Sequence, residues 1–245
     1  MNKNKWIHIF ENKKIYIKNV NLNNLRKFNF RKVSYYLTNQ VYSKFTFSEF
    51  IRLMEFFFKK LRIKKNMSLL DFGSGNGGIL YYLIRKYNLK NCFSVEISKN
   101  FLIFQKKYIT NSKFIKINFT SFKNLKKIKA NSINLTMLNS VSQYFYSNTY
   151  CLKILNELIR ITSKRLFIYD IKNKEYQDSY IKNLCNRRKI TINEFNKIYK
   201  KTPLRFYYKS FFINYLNKKK IKFKIFNNPK FALDSKYGFC ILVEK

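Results

Sequence analysis

The sequence predicts a doubly wound α/β fold: a mostly parallel seven-stranded sheet with an antiparallel last strand, preceded by N-terminal cover helices. Two observations lead there. Between residues 67 and 171, short apolar runs alternate with amphipathic stretches, the βαβα rhythm of a parallel sheet. The first run, Leu69-Leu70-Asp71-Phe72, leads into Gly73-Ser74-Gly75-Asn76-Gly77-Gly78 and then into helically spaced Ile79, Leu80, Leu83 and Ile84, which reads as strand, tight glycine turn and helix. Four of the five glycines of the chain lie in that turn. Glycine accepts positive φ and lets a ligand come close to the backbone, so the concentration marks a binding site.

The elements follow in order. Residues 1–40 are rich in Lys and Asn, with a short strand readable at 6–17. From Ser34, the residues Tyr35, Tyr36, Leu37, Val41 and Phe45, then Phe47, Phe50, Ile51, Met54, Phe57, Phe58 and Leu61, recur at the spacing of amphipathic helices. Thr46 or Ser48 caps the second of these, with Glu49 in its first turn. Strands are then predicted at 67–72, 92–96, 114–117, 133–138 and 165–171, with helices at 77–86, 99–108 and 148–162 between them. Residues 172–202 are charged and break the rhythm, with one helix starting at Thr191, whose Thr-x-x-Glu spacing to Glu194 is a capping box. An insertion of that length reads as a lid or substrate loop. A helix at 207–217 and an antiparallel strand pair, 221–226 and 237–243, close the chain. We divide it into an N-terminal extension with cover helices (1–62) and a catalytic domain (63–245), in which an insertion at 172–206 forms a lid or acceptor pocket.

Composition narrows the function classes. Lys and Arg number 51 against 12 Asp and Glu, a net charge of +39 that attracts nucleic acid or other acidic partners. The basic residues are scattered and mostly Lys, however, and Asn, Ile, Phe and Tyr are also overused, all residues with A- and T-rich codons. Drift in base composition accounts for the charge as well as a selected partner does. Cys92, Cys151, Cys185 and Cys240 are far apart and His8 is the single histidine, which argues against a metal site or a disulfide framework and for a reducing, cytoplasmic setting. The basic N-terminus lacks the apolar run of a signal peptide. The apolar block Phe56-Phe57-Phe58 is cut off by Lys59-Lys60, far short of the roughly 20 residues of a membrane span.

The glycine turn is matched by Glu96, which ends the second strand 23 residues after Gly73. Such a pair holds a nucleoside: backbone approaches the ligand at the glycines and the carboxylate takes ribose hydroxyls. Dinucleotide enzymes space their glycines as Gly-x-Gly-x-x-Gly. Here the run Asp71-x-Gly73-x-Gly75-x-Gly77 resembles instead the first motif of the Rossmann-like class I S-adenosylmethionine-dependent methyltransferases. An acidic Asp71 suits a cofactor that carries an ammonium group and opposes a pyrophosphate.

The resemblance covers residues 67–171 by motif, and the terminal strand pair extends it to the end of the chain. It implies S-adenosyl-L-methionine as donor and S-adenosyl-L-homocysteine as product. Asp71 would lie near the methionine end of the cofactor, with Gly73, Ser74, Gly75, Asn76 and Gly77 lining it and Glu96 and Ile97 at the ribose. Asn118-Phe119 stands where many members carry an Asp for the adenine amino group, and the Asn carbonyl can accept the same bond. The run from Leu138 to Phe145 resembles the fourth motif, where methyl and acceptor meet. That puts Asn139 and Ser140 on the cofactor and Gln143 and Tyr144 on the substrate, with Tyr35 and Tyr36 of the cover helix either packing or touching substrate.

This run lacks the Asn/Asp-Pro-Pro-aromatic sequence of enzymes that methylate base amines, and Cys92 and Cys151 fall in a strand and a helix body, away from the donor. It is more similar to small-molecule methyltransferases acting on sugars and natural products. Transfer is an in-line displacement, catalysed by positioning and desolvation. With His8 outside the motifs, a hydroxyl acceptor would take its base from Tyr144, Asp170 or Glu175, while an amine would need none. The expectation is methyl transfer to an O or N atom of a small-molecule acceptor. An RNA methyltransferase and a non-catalytic S-adenosylmethionine-binding partner protein are the alternatives.

Overall fold

Strand β1 (Leu69–Phe72) runs through the middle of a mixed sheet, with Leu69 opposite Cys92 of β2 (Cys92–Glu96) on one side and Leu135 of β4 (Ile133–Asn139) on the other. The computed structural model describes residues 29–42, 46–89, 91–109, 112–116, 123–200, 202–232 and 234–245. Its sheet has the order β3-β2-β1-β4-β5-β7-β6, with β3 at Ser112–Lys116, β5 at Thr162–Lys172, β6 at Phe223–Asn227 and β7 at Gly238–Glu244. Strands β1 to β5 pair in parallel, and β7 runs antiparallel to both β5 and β6. The strand order reverses between β1 and β4, and sheets of this kind bind ligands at the carboxyl ends beside that reversal.

The parallel strands are apolar on both faces because both are covered. Leu70, Phe72, Val95, Leu138, Leu166 and Ile168 pack into one core with α6 (Asn148–Ile161) and α9 (Lys209–Lys218), which contribute Ile154, Leu158, Phe212 and Leu216. Their neighbours Leu69, Cys92, Leu135, Met137, Phe167 and Tyr169 face the opposite core. There they meet α2 (Phe47–Leu61) and α3 (Gly78–Tyr87) through Phe50, Met54, Phe57, Leu80 and Leu83. Of the two caps read from the sequence, Thr46 is the one that starts helix α2, and it does so in a capping box: Thr46 Oγ1 accepts from the Glu49 amide at 3.2 Å and Glu49 Oε2 accepts from the Thr46 amide at 2.7 Å. Ahead of it, α1 (Phe30–Tyr42) begins four residues before Ser34, where the periodic pattern starts.

The structure departs from the sequence reading at two other places. The segment after β5 holds two helices, α7 (Gln177–Arg188) and α8 (Ile192–Tyr199), where one was predicted. Helix α7 buries only Tyr180, Leu184 and Cys185, a stripe too narrow to stand out among its charges, and these residues join Phe195 of α8 and Tyr237 in a small core. The second departure is a bulge in β5. The register against β7 slips between Ile168 and Ile171, and Asp170 takes a left-handed φ of 59°. The extra residue resets the alternation, so that Ile168 and Ile171 both point into the α6 core. The strand predicted at 6–17, His8 and the Asn118-Phe119 pair lie outside the described residues. Among the described residues no helix is long and apolar enough to cross a membrane.

Candidate active site

The glycine turn between β1 and α3 is shaped by left-handed backbone at Gly73 (φ 76°), Gly75 (φ 57°) and Gly77 (φ 82°), conformations that side chains resist. Space adds a second constraint. A Cβ on Gly73 would lie 2.3 Å from Val141 Cγ2, and one on Gly77 would lie 2.1 Å from Ile109 Cδ1.

Three side chains brace the turn, two of them from other elements. Glu96, ending β2, accepts from the Gly75 amide at 2.7 Å through Oε2, and from the amides of Ile97 (2.7 Å) and Ser98 (2.9 Å) through Oε1. The second brace is Gln105 of α4 (Lys99–Tyr108), whose Nε2 donates to the Gly75 carbonyl and, at 3.0 Å, to Ser74 Oγ. Asn76, within the turn, reaches out with its side-chain amide to the Leu37 carbonyl of α1. Thr38 of the same helix sits against Gly78, where an added Cβ would lie 2.5 Å from its Oγ1. Helix α1 therefore lies directly on the donor turn. Of the two tyrosines read from this helix, Tyr35 packs its ring 5.5 Å from Phe47 and 6.0 Å from Phe50, whereas Tyr36 is exposed.

Asp71 is the charge-bearing centre of this end. It is 2% exposed, and its Oδ1 has no hydrogen-bond partner. Burial, and after it the nearby Glu96 carboxylate, push the Asp71 carboxyl up from its ordinary value to about 7. Glu96 is pushed up to about 7 as well by burial, its three backbone N–H partners offsetting only part of the effect. Two buried acids and an unpaired oxygen beside a glycine turn fit a ligand that brings positive charge and donors. The residues present thus suit a cofactor with an ammonium group and ribose hydroxyls.

The acceptor side is built where β4 and β5 end. Asn139 and Ser140 are buried, and Ser140 holds a left-handed φ of 52°. Ser140 Oγ donates to Asp170 Oδ2 at 2.9 Å, and Gln143 Nε2 donates back to the Ser140 carbonyl at 2.8 Å. Asp170 is fully engaged. Lys172 Nζ lies 2.9 and 3.0 Å from its two oxygens, and Asn228 Nδ2 donates to Oδ1 at 3.0 Å. Lys172 is itself buried, 3.9 Å from Asp234 and 4.8 Å from the Tyr180 ring centre, and Asp234 is paired with Arg187 of α7 at 3.0 Å. Burial works against the Lys172 ammonium, but Asp170, Tyr180 and Asp234 outweigh it and raise its pKa.

Tyr144 is half-buried in the single turn Ser142–Tyr144; burial raises its phenol pKa, with the Gln143 amide acting in the opposite direction. The third base candidate, Glu175, is exposed on the turn after β5, where its carboxylate accepts from Asn173 Nδ2 at 3.0 Å.

The structure therefore brings Asp71, Gly73, Ser74, Gly75, Asn76, Gly77, Glu96 and Ile97 together at one end, and Ser140, Gln143 and Asp170 together at the other. Sequence reasoning missed Gln105, Lys172, Asn228 and Gly238. Three of them left a signal: Gln105 is a polar residue on the apolar stripe of a helix, Lys172 ends an apolar strand and Gly238 is the one glycine outside the turn, whereas Asn228 left none. Gly238 makes room for the Asp170 contact, since a Cβ there would lie 2.4 Å from Asn228 Nδ2 and 2.9 Å from Asp170 Oδ1.

A doubly wound sheet with a glycine turn after its first strand and a braced carboxylate ending its second defines a nucleoside-cofactor protein of the α/β class. The methyltransferase-domain family matches residues 63–210, more than half of the chain. The chain belongs to this family, the class I S-adenosylmethionine-dependent methyltransferases, and S-adenosyl-L-methionine is its cofactor.

Among known proteins it is 28% identical over 108 residues to cyclosporin synthetase of Tolypocladium inflatum, a match spanning 42% of this chain and 1% of the synthetase. Its fold is similar to that of a SAM-dependent methyltransferase from Aquifex aeolicus, at a TM-score of 0.50 and 17% identity, covering 78% of this chain and 88% of that one. It is likewise similar to geranyl diphosphate C-methyltransferase from Streptomyces coelicolor A3(2), at a TM-score of 0.55 and 11% identity, covering 79% and 78%.

Proposed function

We propose that this chain transfers the methyl group of S-adenosylmethionine to an O or N atom of a small metabolite of the sugar or natural-product type, in the cytoplasm. Asp71 faces the ammonium end of the donor, and Gly73, Ser74, Gly75, Asn76 and Gly77 line it. Glu96 takes a ribose hydroxyl through Oε2, the oxygen with the single backbone partner, beside Ile97, and Asn118 and Phe119 serve the adenine. Asn139 and Ser140 hold the donor at the methyl end, while Gln143, Tyr144, Tyr35 and Tyr36 contact the acceptor. Residues 1–62 act as the cover and 63–245 as the catalytic domain.

Asp170 orients Ser140 in this reading, since Lys172, Asn228 and Ser140 already engage its oxygens. Tyr144 remains the better placed base for a hydroxyl acceptor, and Glu175 stands in reserve at the rim. The single observation that carries the small-acceptor reading is the folded state of the 172–206 segment. Its helices α7 and α8 share an apolar core with Tyr237 and are tied to the sheet by Arg187 through Asp234, which suits a roofed pocket better than an open trough.

The net charge of +39 favours a second reading, methylation of RNA. Incubation with methyl-labelled S-adenosylmethionine, a panel of hydroxyl- and amine-bearing metabolites and total RNA separates the two. Label in a small product supports the proposal, and label in RNA with salt-dependent binding overturns it. Binding of cofactor with no label in either fraction would favour a non-catalytic partner protein. Failure of the folded protein to bind both S-adenosylmethionine and S-adenosylhomocysteine in calorimetry would sink every reading.

A further inference from the structure

We infer that Gln105 is a positioning residue for the methyl donor, clamping the glycine turn from helix α4. Within the turn the Gly77 amide donates to the Ser74 carbonyl at 2.9 Å, but that bond leaves the Gly75 peptide groups to other partners. Gly75 is left-handed, and both of its backbone groups are satisfied by side chains from elsewhere: its N–H donates to Glu96 Oε2 at 2.7 Å and its carbonyl accepts from Gln105 Nε2. The Gln105 amide is completely used. Its second Nε2 hydrogen goes to Ser74 Oγ at 3.0 Å, and its Oε1 accepts from Ser94 Oγ of β2. Ser74 and Ser94 close the loop with a hydroxyl contact of 2.6 Å. Gln105 and Ser94 are both 0% exposed and Ser74 is half-buried, so the bonds to Gly75 and Ser94 are shielded from water, where such bonds are strongest and most costly to leave unmade.

Packing acts in the same direction. A Cβ on Gly77 would lie 3.1 Å from Gln105 Cγ and 3.2 Å from its Cδ, so the stem of the glutamine fills the space that the glycine leaves. Nothing in the apolar needs of α4 calls for an amide here. Phe101 and Leu102, one turn earlier on the same helix, are buried hydrophobics, and Gln105 continues their stripe with a polar group. The consequence is that the orientation of the Gly75 peptide, and with it the Glu96 carboxylate that it holds, is set by a residue outside the turn. Loss of the amide frees a left-handed glycine before the donor arrives, and the donor must then order it.

The test is calorimetry of S-adenosylmethionine and S-adenosylhomocysteine with Gln105→Met, which keeps the length of the side chain and removes its hydrogen bonds. We expect both ligands to bind about tenfold more weakly, the scale of one to two neutral hydrogen bonds. Ser94→Ala should weaken them less, and the double variant should be no weaker than Gln105→Met alone, because both changes break one network. Asn134→Ala serves as a control for stability alone, since Asn134 accepts from the Ser68 amide at 2.9 Å and is not part of the clamp. Its dissociation constants should stay within about twofold of the parent at a comparable loss in Tm. The inference fails if folded Gln105→Met binds within about twofold of the parent, or if Asn134→Ala at equal loss of Tm weakens binding as much. Should Gln105→Met not fold, Ser94→Ala carries the test, and an unchanged dissociation constant overturns the clamp. Failure of the unmodified protein to bind either ligand would instead strike at the donor assignment.

Discussion

Asp170 shows how much of this site is decided one residue at a time. The bulge in β5 turns its backbone left-handed, Gly238 gives it room, and Lys172, Asn228 and Ser140 divide its oxygens among them. A carboxylate held on three sides in that way is fixed in place, suited to orienting Ser140. Lys172 is the partner on which it depends most, because breaking a buried ion pair leaves a charge with neither water nor counter-ion. Lys172→Met should therefore cost about 3–5 kcal/mol in denaturant unfolding, and adding Asp170→Asn should recover part of it. A loss below about 1 kcal/mol in the single variant would show that water or Asn228 compensates Asp170 instead. The sequence displayed Asp170 as a carboxylate at the end of a strand but did not show which three residues would hold it. They arrive from Ser140, from the residue beyond the bulge and from the β6–β7 connection.

At the scale of elements, legibility followed amphipathic width. Helices α2, α3 and α6 each bury a broad apolar stripe and were read correctly. Helix α7 escaped notice because it buries only Tyr180, Leu184 and Cys185 and owes its place to the small core with Phe195 and Tyr237. Helix α8, Ile192–Tyr199, has just Phe195 buried, so its own start signal carries unusual weight: Thr191 Oγ1 accepts from the Glu194 amide at 3.2 Å and Glu194 Oε2 accepts from the Thr191 amide at 2.7 Å. Thr191→Ala should cost about 1 kcal/mol, felt locally. Hydrogen exchange should quicken in α8 while the amides of β1 and β4 keep their protection. Equal acceleration in the sheet would mean that α8 and the core unfold together.

For the whole molecule, the buried acids set a pH dependence. Asp71 and Glu96 ordinarily ionise at 3.8 and 4.5 and are raised to about 7 in the fold. A carboxyl whose pKa is raised on folding binds protons more tightly in the native state, so its stabilising effect is fully present below the unfolded value and is lost as pH rises through the folded one. The cofactor-free protein should thus lose stability on the order of a few kcal/mol between about pH 4 and pH 7 from these two groups. Asp71→Asn should flatten that slope in a series of thermal scans; an equal slope in both proteins would place the titration elsewhere. Comparing the two proteins removes the opposing trend from a net charge of +39, whose self-repulsion grows as the remaining carboxylates take up protons. Several acids already have structural duties: Glu49 and Glu194 cap helices, and Glu157, Asp170, Asp234 and Glu244 pair with cations, leaving most lysines to solvent.

The sequence by itself determined the strand–turn–helix that receives the donor and the alternation of strands and helices around it, because these depend on local spacing: a period of two along a strand, three to four around a helix, and glycines where φ must be positive; the cofactor came from the resemblance that the glycine turn carries. Only the tertiary structure decided what holds that turn and what lies opposite it. Gln105, Ser94, Leu37, Asn228 and Gly238 are remote in the chain from the residues they serve. A hydrogen bond or an ion pair between distant residues leaves no periodicity behind, since its geometry comes into being only when packing brings the partners together.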